Sequence, residues 1–86
     1  MDGDRSLELT DAEIAAAFTE PDVARRYPPI MTIEQAADLL QYSVETLRNW
    51  RSRRLLGGCS RRVGKRVRFF RDRLLKHIFN DGLDGN

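Results

Sequence analysis

Residues 32–50, TIEQAADLLQYSVETLRNW, decide the fold of this 86-residue chain. Thr32 and Gln35 form a capping box, and the apolar residues that follow predict a helix over 33–40. Ser43, after the end of this helix, is a good N-cap. Apolar residues that recur every three positions then predict a second helix over 44–53. Two helices joined by a three-residue turn, with an aromatic residue in the second, are typical of a helix-turn-helix.

The sequence after this pair of helices predicts a basic β-hairpin, or wing. Residues 60–63 and 67–70 have strand character and flank the tip Gly64-Lys65-Arg66. With alternation along both strands, Val63, Val67 and Phe69 are expected to face the core. Arg62, Arg66 and Arg68 are expected to face outward. A last helix is expected to follow the hairpin, up to residue 80, and to pack back on the pair of helices.

Charge divides the chain into two unequal parts. Residues 1–30 carry seven acids and three bases (net −4), whereas residues 31–86 carry twelve bases and six acids (net +6). All twelve of these bases, ten arginines and two lysines, lie between 48 and 76, where Asp72 is the only acid. Such a field attracts polyanions, and arginine favours bidentate contacts to phosphate or guanine, although a merely solubilising charged face is the alternative.

The acidic segment is expected to be a helical arm. A capping box at Thr10 predicts a helix over 11–18, and a proline at a first helical position predicts one or two further turns, up to residue 27. The expected organisation is therefore an acidic N-terminal helical arm at 1–30, a winged helix-turn-helix DNA-binding domain at 31–80 and a disordered tail at 81–86.

Several functional classes are disfavoured by composition. One cysteine, Cys59, and one histidine, His77, provide neither an intrachain disulfide nor a zinc site, and no nucleophile with a base is apparent. We therefore expect no enzymatic activity, no cofactor and no metal. The neighbouring arginines are expected to lower the pKa of Cys59, which we interpret as incidental to function.

Targeting signals are also lacking in the sequence. The N-terminal residues do not resemble a signal peptide, and no apolar run approaches the roughly 20 residues of a membrane span. A soluble, intracellular protein is expected.

Three segments in order carry a family resemblance: residues 31–40, MTIEQAADLL, residues 43–50, SVETLRNW, and residues 63–69, VGKRVRF. Together they resemble the excisionase-like winged-helix family, whose DNA-binding half is shared by MerR-type regulators. The resemblance implies a mostly α fold with a small β-hairpin wing. Arg54 departs from it, because relatives usually turn with glycine at that place.

The resemblance also implies a function. Excisionases of phages and mobile elements are recombination directionality factors that bind attachment-site DNA, often side by side, and bend it so that integrase excises. The implied partners are double-stranded DNA, an integrase and further copies of the chain, with no membrane and no small-molecule effector. The implied location is the cytoplasm of a bacterial host cell. The opposite charge of the arm suggests that it meets the basic face of a neighbouring copy or of integrase.

A small transcription regulator, MerR-like or a phage repressor, is the alternative function. Effector-responsive MerR proteins carry a long dimerisation helix and a ligand domain after the winged helix. The sequence here has no such segment after the last predicted helix, which favours the excisionase.

The candidate DNA-binding residues lie on the second helix and on the wing. In the helix, Asn49 matches adenine and Arg48 or Arg53 matches guanine, while Glu45 either accepts from cytosine or favours the helix dipole. The resemblance adds other positions of the helix and the wing tip, and the wing arginines are expected to contact phosphate or a narrow minor groove. The full set is Ser43, Glu45, Thr46, Arg48, Asn49, Arg51, Arg53, Arg61, Arg62, Lys65, Arg66 and Arg68.

Three residues of the second helix are open to more than one interpretation. Thr46 either touches a thymine methyl or is simply solvated. Arg51 points nearer the core, so a phosphate contact or an ion pair is expected before base readout. Trp50 shares the apolar side of the helix and is expected to be a core residue rather than a stacking platform.

Overall fold

The computed structural model describes residues 8–82. Most of the tail predicted to be disordered, residues 83–86, lies outside this range, as do residues 1–7 at the start of the arm. No helix within 8–82 is long and apolar enough to span a membrane.

Five α-helices and a three-stranded sheet make up the described residues. The helices are α1 (Asp11–Ala17), α2 (Pro21–Arg26), α3 (Ile33–Leu40), α4 (Val44–Ser52) and α5 (Arg71–Lys76), and a π-helical turn, His77–Asp81, continues α5. The strands are β1 (Ile30–Met31), β2 (Ser60–Val63) and β3 (Arg66–Phe70). The fold is a mostly helical winged helix-turn-helix, as the sequence predicted.

Both predicted capping boxes are present. The Thr10 hydroxyl accepts from the N–H of Glu13 at 3.1 Å, and the Glu13 carboxylate accepts from the N–H of Thr10 at 2.9 Å. The same reciprocal pair joins Thr32 and Gln35 at the start of α3, at 3.1 and 2.9 Å. Each box satisfies helix-end N–H groups that would otherwise lack a partner, which fixes where α1 and α3 begin.

The sheet has the order β1-β3-β2, with both pairs antiparallel. Gly64 and Lys65 alone form the hairpin turn, and Gly64 has a φ of +62°, which suits the first position of a type II′ turn. Val63 therefore pairs with Arg66. The prediction that Val63 faces the core was wrong: the turn has two residues rather than three, so Val63 shares the face of Arg66 and is 60% exposed.

One core joins the sheet to the helices. Phe69 of β3, Met31 of β1, Leu47 of α4 and Leu74 of α5 are all fully buried in it. Trp50 is half-buried and packs against this core. Its ring lies edge-on to the ring of Tyr42, in the turn between α3 and α4, with 4.8 Å between the two ring centroids. Its position agrees with the structural role expected from the sequence.

The arm packs on the winged helix instead of swinging free. Ile14 of α1 is 1% exposed, and Leu9 exchanges backbone hydrogen bonds with the side-chain amide of Asn80 at 2.7 and 3.0 Å. At the other end of the arm, the Tyr27 hydroxyl donates to Asp38 of α3 at 2.6 Å. That hydrogen bond raises the pKa of Tyr27 and lowers the pKa of Asp38.

The junction between arm and winged helix is made by Arg71, the first residue of α5, which is only 8% exposed. Its guanidinium lies over the ring of Phe18 at 3.9 Å from the centroid. It also donates to the carbonyl oxygen of Tyr27 and to the carboxylate of Asp72, each at 2.9 Å. A buried cation is thereby satisfied, largely by the arm.

The exit from α4 is strained. Arg54 has a φ of +61°, in the left-handed region that favours glycine, and its N–H still donates to the carbonyl of Arg51 at 3.0 Å. The departure noted in the sequence at this position is therefore a non-glycine residue held in a glycine conformation.

We predict that Arg71→Met lowers the free energy of unfolding by about 2 kcal/mol, because charge-assisted hydrogen bonds to the arm are lost while the side-chain volume is kept. Denaturant unfolding followed by circular dichroism measures the change. Arg66→Met, at an exposed position, is the matched control and should change stability little. Equal stability of the two variants would contradict the role assigned to Arg71.

We predict that Arg54→Gly stabilises the protein by about 0.5 kcal/mol, since relief of a left-handed φ, about 1–2 kcal/mol, exceeds the added chain entropy of about 0.5–1 kcal/mol. Arg53→Gly is the matched control. Arg53 has a φ of −86°, so this substitution relieves no strain and only adds conformational entropy to the unfolded chain. Thermal melts of both variants should move in opposite directions. A loss of stability in both would show that Arg54 is not strained.

Candidate nucleic-acid interface

The exposed side of α4 carries most of the predicted base-reading residues. Glu45, Arg48 and Asn49 are exposed, whereas Leu47 on the other side is fully buried. An α-helix with its side chains is about 10–12 Å across, and the major groove of B-DNA is about 12 Å wide. The helix therefore has the dimensions and the polar face that insertion into a major groove requires.

Two of the predicted positions serve the helix itself. The Ser43 hydroxyl accepts from the N–H of Thr46 at 3.1 Å and lies 2.8 Å from the Thr46 hydroxyl. Ser43 is thus the N-cap of α4, as predicted, and its interaction with Thr46 fixes the start of the helix. A contact of either hydroxyl with DNA has to form in addition to this pairing.

Glu45 and Arg48 form an ion pair at 3.3 Å on the surface of α4. Both side chains are largely exposed, so the pair contributes little to stability and can open readily. The carboxylate nevertheless holds the guanidinium beside the first turn of the helix. The side chain of Asn49, one turn away from Glu45, makes no hydrogen bond to any residue within 8–82.

Arg51 connects α4 to the wing. It is half-buried, and its Nε donates to the hydroxyl of Ser60 in β2 at 3.2 Å. The sequence predicted a phosphate contact or an ion pair for Arg51; it did not predict this hydrogen bond, because nothing in the local pattern brings residue 60 next to α4. Arg51 thus helps to set the position of the wing relative to the helix.

The basic residues of the wing lie on both of its faces. The strand register pairs Arg61 with Arg68 and Arg62 with Val67, so Arg61 and Arg62 point to opposite sides. The guanidinium of Arg61 lies 5.9 Å from the ring centroid of Phe70, and Nε of Arg62 donates to the carbonyl of Gly64 at 3.2 Å. The high density of arginine in the sequence therefore does not correspond to a single basic face.

A groove of about 490 Å³ lies between the start of α3, the exposed side of α4 and the wing. Five of the candidate residues line it: Arg48, Arg51, Lys65, Arg66 and Arg68. Its remaining wall includes Thr32 and Glu34 at the start of α3, which the sequence did not predict as DNA-binding residues. The groove gathers cations from two elements, as a site for a phosphate backbone would.

Arg53 and Lys65 complete the predicted set. Arg53 follows α4 as its C-cap, and Lys65 is the second residue of the hairpin turn. Both are exposed, and neither makes an ion pair with another residue of the described range. Their charges remain available to a polyanion.

Cys59 is a core residue, and the expectation that its pKa is lowered was wrong. The thiol is buried, and burial raises its pKa to about 11, with the nearby charge of Arg73 only partly opposing this shift. Nε2 of His77 donates to the carbonyl of Leu55 at 2.7 Å. Within residues 8–82, no group of three or more His, Cys, Asp or Glu side chains is placed to hold a metal ion.

Residues 30–78, which contain α3, α4, the wing and most of the last helix, match a family described as a helix-turn-helix domain. The chain belongs to this family. Searches of curated proteins and of solved structures give no significant match. The helix-turn-helix domain is a DNA-binding domain, so double-stranded DNA is the partner for which the basic groove and the exposed side of α4 have to be tested.

We predict that Lys65→Ala combined with Arg66→Ala weakens DNA binding and lowers the slope of log affinity against log salt by about 1.8, or about 0.9 for each lost phosphate contact. Fluorescence anisotropy with a labelled duplex between 50 and 200 mM salt measures it. Arg25→Ala combined with Lys76→Ala removes the same charge outside the groove and should leave the slope nearly unchanged. An unchanged slope for the wing variant would mean that the wing does not contact DNA.

Proposed function

We propose that this protein is a sequence-specific, architectural DNA-binding protein, an excisionase of a phage or mobile element. It binds attachment-site DNA in several side-by-side copies and bends it, so that integrase acts in the direction of excision. It performs no catalysis of its own.

The observation that carries the proposal is the basic groove between α4 and the wing. With α4 in the major groove and the hairpin over the next minor groove, the phosphate strand that separates the two grooves lies along Arg51, Lys65 and Arg66. These contacts position the protein on the duplex. Sequence discrimination then falls to the exposed side of α4, mainly to Arg48 and Asn49.

Bending follows from holding one phosphate strand from two sides. Cations on α4 and on the wing neutralise phosphates on one side of the duplex, and the hydrogen bond from Arg51 to Ser60 keeps the two elements at a fixed spacing. DNA that curves toward the protein increases these contacts. The added contacts offset the deformation energy, which is of order 1–6 kcal/mol for bending a site of roughly 20–30 base pairs. Several copies along one site add their bends.

The role in excision is inferred from the family resemblance. The helix-turn-helix domain family includes excisionase-like proteins, and the three segments quoted above resemble them. A curved attachment site brings integrase-bound segments together, which is the architectural task of a directionality factor. A transcription regulator on an operator would use the same groove and the same helix, but in a different arrangement of sites.

Selection from a random duplex library at about 150 mM salt tests the proposal, because salt weakens non-specific electrostatic binding and base contacts then decide which duplexes are retained. We predict that the enriched sequences contain direct repeats at close to one helical turn, about 10–10.5 base pairs. The selected duplex, placed at different positions in longer fragments, should then migrate as bent DNA when the protein is bound.

Two variants sharpen the same selection. Arg48→Ala should relax the preference at one base pair, with a loss of about 1–3 kcal/mol of discrimination, while Lys65→Ala should weaken binding to all sequences alike. Recovery of an inverted repeat would instead indicate a two-fold dimer on an operator and would favour the transcription regulator. Absence of any enriched motif would contradict sequence-specific binding.

A further inference from the structure

An apolar cleft of about 560 Å³ lies where the arm meets the winged helix. We call it the arm cleft; it is lined by Ile14 and Phe18 of the arm, Leu40 and Tyr42 at the end of α3, and Leu75 and Phe79 at the C-terminal end. Phe79 is 67% exposed and Tyr42 is 51% exposed, so large apolar side chains at its rim face solvent. The family match begins only at residue 30, so half of this cleft is built by a segment outside it.

The charges around the arm cleft are acidic. Glu13 is the one charged residue in its lining, and Asp81, two residues after Phe79, has a side chain that is 71% exposed. Lys76 does not make the charge around the cleft basic, because its ammonium group pairs with the carboxylate of Asp11 at 3.1 Å. DNA is therefore repelled from the cleft, whereas an apolar surface with basic neighbours complements it.

This chain carries such a surface on the outer face of its sheet. Ile30 and Phe70 are directly paired across β1 and β3, and Ile30 is 58% exposed. The guanidinium groups of Arg61 and Arg73 lie 5.9 and 5.1 Å from the ring centroid of Phe70. We call these four residues the sheet patch; it is apolar at the centre and basic at the edge.

The sheet patch also has a local excess of like charge. Arg61 and Arg68 are direct cross-strand partners, and like charges in that relation destabilise a sheet. A neighbouring molecule that brings carboxylates, such as Glu13 and Asp81, to this face relieves the repulsion.

The two surfaces lie toward opposite ends of α3. That helix starts immediately after β1, at the sheet, and its C-cap Gln41 lines the arm cleft, about 12 Å away for eight residues. Complementary surfaces at opposite ends give a head-to-tail contact that repeats along a line, instead of closing into a two-fold pair. Neither surface includes the exposed side of α4, so a row of copies leaves that side available to DNA.

We infer that the arm cleft of one copy binds the sheet patch of the next copy on DNA. Phe70 and Ile30 enter the apolar cleft, and Arg61 and Arg73 pair with Glu13 and Asp81 of the neighbour. Arg61, a candidate DNA-binding residue in the sequence, does not line the basic groove and is assigned here to the neighbouring copy instead of to DNA. The inference rests on the proposed side-by-side binding and names the surfaces that would mediate it. Coupling between two ligands of this kind is typically 5- to 150-fold in affinity, and that is the cooperativity expected between adjacent sites.

The test uses the full chain and duplexes that carry one copy or two direct copies of the selected site. Phe79→Lys places a cation in the arm cleft, and Ile30→Glu places an anion on the sheet patch; each should reduce cooperativity on the two-site duplex to about 1 while leaving single-site affinity unchanged. Ala16→Lys, exposed on α1 outside the cleft lining, is the matched control and should keep cooperativity.

Mixing the two variants decides the geometry. Phe79→Lys retains its sheet patch and Ile30→Glu retains its arm cleft, so an equimolar mixture should regain cooperativity on two sites, because one intact contact can form. If either variant alone stays fully cooperative, or if the mixture fails to recover, the head-to-tail contact is wrong.

The remaining outcomes separate this inference from the proposed function. A Phe79→Lys protein that melts at a lower temperature but binds cooperatively would mean that the chain's own segments fill the cleft, which overturns the inference. Because the two-site duplex is built with direct repeats, the contact is tested even if the natural sites prove to be inverted. Wild-type protein that binds one site tightly and two sites independently would overturn the contact and leave DNA binding intact.

Discussion

The burial of the Arg71 guanidinium is the interaction on which the arrangement of arm and winged helix depends. A buried cation is costly unless its donors are satisfied, and here the Tyr27 carbonyl and the Phe18 ring, both in the arm, supply two of its three partners. The third, Asp72, is its own neighbour in α5. The winged helix therefore carries a buried cation that Asp72 alone does not satisfy and that the arm completes, which makes the arm part of the fold although the family match starts after it.

Arginines that are equivalent by sequence have different tasks in the structure. Arg71 is structural, Arg51 spaces α4 from the wing, Arg54 accommodates a left-handed turn, and Arg73 stacks on an aromatic ring. A count of basic residues consequently overestimates the charge that faces DNA. Five cations line the groove between α4 and the wing because the fold brings them there: Arg48, Arg51, Lys65, Arg66 and Arg68. Arg53, Arg61 and Arg62 do not line it, so the basic groove is smaller than the sequence suggested.

The helices were predictable because their signals are local. Capping boxes at Thr10 and Thr32 each occupy four consecutive residues, so they fix helix starts without reference to the rest of the chain. The orientation of Val63 was not predictable, because a change of one residue in the hairpin turn moves a side chain to the other face. The strand β1, two residues long, and the burial of Arg71 depend on partners about 40 residues away, which no local pattern encodes.

The position of the arm bears on how well this domain can discriminate between sequences. Within the described part of the arm, residues 8–30, no residue lines the basic groove, so these carboxylates do not compete with phosphate there, while the acids of the arm reduce the net charge of the chain to +2. Long-range attraction depends on that charge and is shared by cognate and arbitrary DNA, whereas base contacts do not depend on net charge. An acidic arm held away from the groove by Arg71 is therefore expected to lower attraction to both kinds of DNA and to leave the exposed side of α4 uncovered. The ratio of the two affinities is what selects one site in a genome, and that ratio rests on base contacts.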